Sequence, residues 1–180
     1  WPQTSGHNSL RWLKNNFTQE FINVSWHSLR YEPKHTLRHR TMLAVCRGDA
    51  DALEKCIDEG WDIHATVDRR GRFNVLTLAC HLDQLELVHL CDIKGADLSQ
   101  PCGEEQLTPM MAALGRWNVR IVDYLIERRV DPNVKDKFGF TAGQRAENKN
   151  LRTINSMLKA YEKTYLPPTP AKIRANEAIT

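Results

Sequence analysis

The chain has 180 residues, 41% of them hydrophobic, enough to supply the core of one sizeable domain and still leave residues for arms. No apolar run approaches the ~18 residues that cross a bilayer as a helix, so a membrane-spanning helix is not expected. The formal charge of +3 is unevenly spread: residues 1–42 hold six Lys/Arg against two acids, a local +4 that leaves −1 for the rest, so the basic character belongs to the amino-terminal arm.

In that arm, Leu10, Leu13, Phe17 and Phe21 recur at intervals of three and four, which puts them on one face of a helix beginning near Asn8 or Ser9. Phe21 to Trp26 is β-branched and aromatic enough to be extended, and Glu32-Pro33 bars helix continuation ahead of the next segment. The arm either folds back to shield the end of the domain that follows, or offers Trp12, Phe17, Phe21 and Trp26 as anchors to a partner. Residues 1–31 contain a single acid, Glu20, beside Arg11, Lys14 and Arg30, a composition like that found next to an organelle-targeting sequence. Five cysteines with no C-x-x-C pair do not form the framework of a small secreted protein. An intracellular, reducing compartment is expected, either the mitochondrial matrix or the cytoplasm.

From residue 36 the chain repeats itself. Asp62, Asp97 and Asp131 are separated by 35 and 34 residues, and Thr108 and Thr141 by 33. A period in this range is the mark of stacked helical repeats. In the first copy Met42–Val45 form an inner helix, Gly48-Asp49 reverse the chain, and Ala52, Leu53, Cys56 and Ile57 make the apolar stripe of an outer helix ended by Gly60. The second opens with a turn at Asp68–Gly71, continues through Val75–Cys80, and has its outer helix from Leu85 toward Gly95-Ala96-Asp97. The third has Thr108 to cap its inner helix, Pro109 in the first helical position, and Ile121, Val122, Leu125 and Ile126 as the outer stripe. Here Trp117 stands where the first copy has Gly48, and Arg129 where the others have Gly60 and Gly95, which predicts an irregular turn after Ile126. The fourth runs from Asp136 through Thr141 to Leu151, Ile154, Met157 and Leu158, with enough polar residues to serve as a terminal cap.

Thr108-Pro109-Met110-Met111-Ala112-Ala113 and the outer-helix string Glu86, Leu87, Val88, Leu90, Gly95, Ala96, Asp97 resemble the ankyrin-repeat family. The resemblance covers about residues 36–158 and implies an all-α solenoid of about four helix-turn-helix repeats with hairpin-like loops. Residues 1–35 would then be a basic, aromatic arm and 159–180 a Pro-containing extended tail. None of the copies keeps the family's histidine in the T-P-L-H position, which holds Met42, Thr77, Met111 and Gln144, so their inner hydrogen bonding must differ.

No phosphate loop, dinucleotide fingerprint, nucleophile elbow or H-E-x-x-H motif occurs. Cys80, His81, His89 and Cys91 match no structural zinc spacing, and Cys56 and Cys91 recur in register as core residues. No enzyme, cofactor or metal is expected. Other proteins are the expected partners, subunits of a larger assembly met by the loop tips: Arg69, Arg70, Arg72 and Phe73 on the first, Glu104 and Glu105 on the second, Lys135, Lys137 and Phe138 on the third, with Trp117 as a further contact. The alternative is RNA gripped by Lys34, His35, Arg38, His39 and Arg40, with Trp26 and Tyr31 as stacking platforms.

Overall fold

The computed structural model describes residues 36–68 and 70–165. Trp12, Phe17, Phe21, Trp26, Arg69 and the tail from residue 166 lie outside the described residues. Within them the chain forms four pairs of helices: α1 (Leu37–Arg47) with α2 (Ala50–Asp58), α3 (Val75–Leu82) with α4 (Leu85–Ile93), α5 (Pro109–Ala113) with α6 (Val119–Glu127), and α7 (Ala142–Asn148) with α8 (Arg152–Thr164). The inner helices α1, α3, α5 and α7 pack in sequence, and so do the outer helices α2, α4, α6 and α8. This two-layer stack is the all-α solenoid the resemblance implied.

Each inner helix starts where a polar side chain can take its first free amides. Thr36 accepts from the His39 amide, Asn74 from Thr77, Thr108 from Met111 and Thr141 from Gln144. At Asn74 and Thr141 the bond is reciprocated: the Asn74 amide donates to Thr77 Oγ1 at 3.0 Å and the Thr141 amide to Gln144 Oε1 at 2.9 Å. Two of the four positions that lack the family's histidine are thus turned to local capping. The other two, Met42 and Met111, are buried and apolar.

The reversals recur in strict register. Gly48, Asp83, Trp117 and Asn150 all take a left-handed conformation after their inner helices, with φ of 70°, 62°, 60° and 55°. The next amide returns to the carbonyl five residues back in each case: Asp49 to Ala44, Gln84 to Ala79, Asn118 to Ala113 and Leu151 to Ala146. The outer helices end alike at Gly60, Gly95 and Arg129. The turn after Ile126 is therefore regular, contrary to the expectation from Arg129: its N–H donates to Ile126 O at 2.9 Å and the Val130 N–H to Leu125 O at 3.1 Å, as Gly60 and Trp61 do in the first repeat. Val130 is buried just past the turn, and this burial together with the two bonds offsets the roughly 1 kcal/mol of left-handed strain.

The fourth outer helix has no such stop. It continues through Thr164, so the tail expected to be extended from residue 159 is still helical there. Tyr161 explains the extension, since its hydroxyl donates to Val130 O at 2.9 Å and ties the last turn to the preceding repeat.

The core is one row of apolar side chains through the stack, from Met42 and Leu53 through Leu78, Leu87, Met110, Ile121 and Leu125 to Ile154 and Leu158. All five cysteines are buried thiols, Cys56 and Cys91 among them at equivalent positions, and burial pushes the Cys91 thiol up to about 12. On the outer surface, ion pairs step from repeat to repeat: Lys94 to Glu54 at 2.9 Å and Asp58 at 3.2 Å, Arg128 to Asp92 at 2.6 Å. Such exposed pairs add little stability individually, and the apolar rows carry the stack.

The loops also interlock. Gly103 has φ 72° and lies so close to the preceding loop that a Cβ would sit 2.6 Å from Arg72 O. Gly60, with φ 100°, faces open space. Gly103→Ala meets both backbone strain and a backbone clash, so it is expected to cost about 2 kcal/mol or more, against roughly 1 kcal/mol for Gly60→Ala. Urea unfolding of the two variants checks the ordering.

Candidate functional site: the row of loop tips

Three loops project between the repeats, each closed at its neck by the backbone. Val67 N–H donates to Phe73 O at 2.9 Å, Cys102 and Leu107 exchange two bonds of 2.9 Å, and Asp136 N–H donates to Phe140 O at 3.0 Å. Asp68, Cys102 and Asp136 occupy one position at steps of 34 residues. In the outer two loops this residue is a buried carboxylate that organises the tip. Asp68 Oδ1 accepts the Arg72 and Phe73 amides at 2.9 Å each; Asp136 Oδ1 accepts those of Phe138 at 2.8 Å and Phe140 at 2.9 Å, while its other oxygen is held by Arg145. In the middle loop Cys102 takes over, and its Sγ accepts the Asn74 amide at 3.1 Å.

The tips form a continuous row. The first meets the second where Arg72 backs onto Gly103, and the second meets the third where the Lys137 amide donates to Glu105 O at 3.1 Å. The row thus brings together Arg70 and Arg72, then Glu104 and Glu105, then Lys135 and Lys137, so charge runs positive, negative, positive. No ion pair among the described residues consumes these charges. Lys137 Nζ lies 5.1 Å from the centre of the Phe138 ring, which is 60% exposed.

Two of the expected contacts are placed elsewhere. Phe73 is only 5% exposed; its ring packs 5.6 Å from His81 with the Arg72 guanidinium above it, so it is a core residue of the first tip and cannot anchor a partner. Trp117 is 71% exposed but sits at the reversal after α5, whereas the tips precede the inner helices, so it lies at the opposite end of α5 from the row. Phe140, 41% exposed beside Phe138, was missed, although Phe138-Gly139-Phe140 in a turn was readable as an aromatic tip. Ile93, 80% exposed at the end of α4, carried no signal, because it sits outside the apolar stripe of its helix.

Behind the row lies His81 of the inner helix α3. His81 packs against Phe73 and lies where a Cβ on Gly115 would come within 2.5 Å of its Nδ1. Burial, and then the charges of Arg116, Lys149 and Arg72, hold His81 below its ordinary range against the pull of the Ala112 carbonyl. His89 is on the other layer, stacked at 4.3 Å on Tyr124, so the Cys80, His81, His89, Cys91 group shares no site. Of the basic cluster considered for RNA, Arg40 is engaged by both oxygens of Glu59 at 2.5 and 2.7 Å and His39 is buried; Lys34, His35, Trp26 and Tyr31 lie outside the described residues.

A sequence model of ankyrin repeats, in three copies, matches residues 41–136. The chain belongs to the ankyrin-repeat family. Palmitoyltransferase AKR1 from Lachancea kluyveri is 28% identical over 148 residues, which cover 77% of this chain and 19% of that protein. The chain therefore spans about a fifth of the length of the curated relative it matches. Ankyrin repeats are protein-interaction modules, and proteins are the partners they imply. Among the described residues no helix is long and apolar enough to cross a membrane.

Two outcomes follow from the site's geometry. Burial opposes ionisation of Asp136, but the Phe140 amide, Arg145 and the Phe138 amide outweigh it and hold its carboxyl below the usual range. A depressed folded-state pKa gives stability that is present above the unfolded value near 3.9 and is lost as pH falls through the folded value. Asp136→Asn is expected to cost about 1.5–3 kcal/mol at neutral pH and to flatten the acid limb of the stability curve, which denaturant unfolding between pH 2 and 7 measures. Trp117→Gly relieves a left-handed residue with little contact to lose, so it is expected to leave stability unchanged or raise it by up to about 1 kcal/mol. A loss of stability in thermal unfolding would contradict that.

Proposed function

We propose that this ankyrin-repeat chain is a non-catalytic accessory or scaffold subunit of a larger protein assembly, and that it meets its partner along the row of loop tips. The observation that carries the reading is the third tip. Phe138 and Phe140 are exposed on a loop held rigid by the buried Asp136, beside Lys135 and Lys137 and next to the acidic second tip. Rigid exposed aromatics supply most of the energy of an interface, and the alternating charges supply register and steering. A partner with the opposite alternation, negative, positive, negative, fits this row.

The activity named for the palmitoyltransferase relative is not carried over, since the aligned part is a fifth of that protein. The RNA reading is weaker, because Arg40 is already paired and His39 is buried. Five buried thiols in an odd count suit a reducing compartment, the mitochondrial matrix or the cytoplasm.

Native purification from the source, with mass spectrometry of co-eluting proteins, tests the reading when repeated on a Lys137→Glu/Phe138→Ala double variant. Both positions are exposed, so thermal unfolding should be unaltered. Loss of two contacts at the centre of an interface is expected to weaken partner retention by roughly tenfold or more. A protein that purifies alone, or a partner held equally well by the variant, would sink the proposal.

A further inference from the structure

The reversals between inner and outer helices form a second row, at the opposite end of the inner helices from the loop tips. Its charge is sorted by repeat. The first reversal, residues 47–51, holds Arg47 against Asp49 and Asp51; the second, 82–86, holds Asp83 and Glu86 and no base. The third, 116–120, holds Arg116 and Arg120 and the fourth, 149–153, Lys149 and Arg152, with no acid in either. Net charge along the row therefore runs −1, −2, +2, +2. All of these side chains are exposed except Arg116, which is half-buried, and the ion pairs among the described residues use none of Arg120, Lys149 and Arg152.

Folding explains the acidic half but not the basic one. Asp51 and Glu86 lie in the first turns of α2 and α4, where a helix dipole favours an anion. The first turns of α6 and α8 contain no acid and carry Arg120 and Arg152, cations at the end where the dipole disfavours them. Near the middle of the row are two exposed apolar side chains, Trp117 at 71% and Val119 at 39%. Asn118 between them is buried, and its side-chain amide donates to Cys80 O at 2.7 Å, which fixes the backbone that presents them.

A row that is acidic in one half, basic in the other and apolar near its middle is complementary to itself turned end for end. We propose that it is an interface between two copies of this chain, related by a two-fold axis that passes between the second and third reversals. The first reversal of one copy then faces the fourth of the other and the second faces the third, which sets Asp51 opposite Arg152 of the second copy and Glu86 opposite its Arg120. Trp117 and Val119 of both copies come near the centre, with the charges as rim. A long polyanion fits the row less well, because it would run from the basic half onto Asp83 and Glu86. The loop tips stay open on the two outer sides of the pair, so this proposal and the reading of the tips can fail independently.

Sedimentation of the full chain over a range of protein and salt concentrations is the test. Wild type is expected to form a dimer at low ionic strength that dissociates as salt rises. Arg120→Glu/Arg152→Glu and Asp51→Lys/Glu86→Lys each set like charges opposite one another and are expected to weaken the dimer by roughly tenfold or more. Mixed in equal amounts, the two variants regain opposite charges at both facing pairs, and a mixed dimer is expected where neither variant dimerises alone. All four positions are exposed, and the arginine substitutions put anions at helix starts, so thermal unfolding of that variant should not fall. A wild type that stays monomeric at low ionic strength, a dimer as strong in either variant as in wild type, or variants that stay apart on mixing overturn the proposal. A monomer that retains a co-purifying protein which Arg120→Glu/Arg152→Glu loses overturns it in favour of an acidic protein partner on the basic half.

Discussion

Everything in this fold depends on the fit of one helix pair onto the next. A pair such as α3 and α4 is packed on two sides, against α1 and α2 on one and α5 and α6 on the other, and Leu78 and Leu87 are buried in the core that runs through them. Neither face can be buried within the pair, so no repeat is stable by itself and stability comes from the interfaces. That requirement fixes the register, because each reversal must return the outer helix to the same height on its inner partner. The left-handed residues at 48, 83, 117 and 150, each followed by the same backbone bond, are how the chain meets it.

The loops inherit this register without contributing much to the core. Because the necks are stacked at the same spacing as the helices, residues 34 apart become neighbours in a row, and a charge choice in each loop becomes a pattern across three. Holding such a tip in shape takes a local device. In the first and third loops it is an aspartate whose carboxylate collects the amides that the turn leaves free. The middle loop has a cysteine there and relies on the paired bonds of Cys102 and Leu107, with the Gln106 side chain folded back onto Gly103 O at 2.8 Å. The tips therefore differ in stiffness as well as in charge, and the third, with the ion pair of Asp136 to Arg145 behind it, is the one that presents aromatic rings.

Period and apolar stripe made the architecture legible: Leu85–Ile93 and Val119–Glu127 fall where the spacing puts them, and Thr108 caps the helix assigned to it. What escaped depends on distances that sequence order does not carry. Phe73 reads as a tip residue because it follows Arg70 and Arg72, yet its ring turns inward onto His81 of the inner helix α3, a contact that the order of residues in the loop does not show. Arg129 reads as a broken turn by the glycine rule, but the burial of Val130 one residue later overrides the local preference. The helix beyond Leu158 was invisible because its reason, the bond of Tyr161 to Val130 O, spans 31 residues.

Trp117 and Arg129 break the same local rule, and the structure separates them. Arg129 lines a cavity of about 290 Å³ with Ile126, Tyr161 and Tyr165, so its side chain has neighbours from the next repeat that favour keeping it. Trp117 is the most exposed of the described tryptophans, in a conformation that a glycine or asparagine would take at less cost, as Gly48 and Asn150 do at the equivalent positions. A large aromatic held out into solvent at a strained position gains nothing from the fold that surrounds it. The surrounding fold supplies no reason for the strain at Trp117, whereas the cavity lined by Tyr161 and Tyr165 supplies one for Arg129, so the same broken rule has a structural explanation at only one of the two positions.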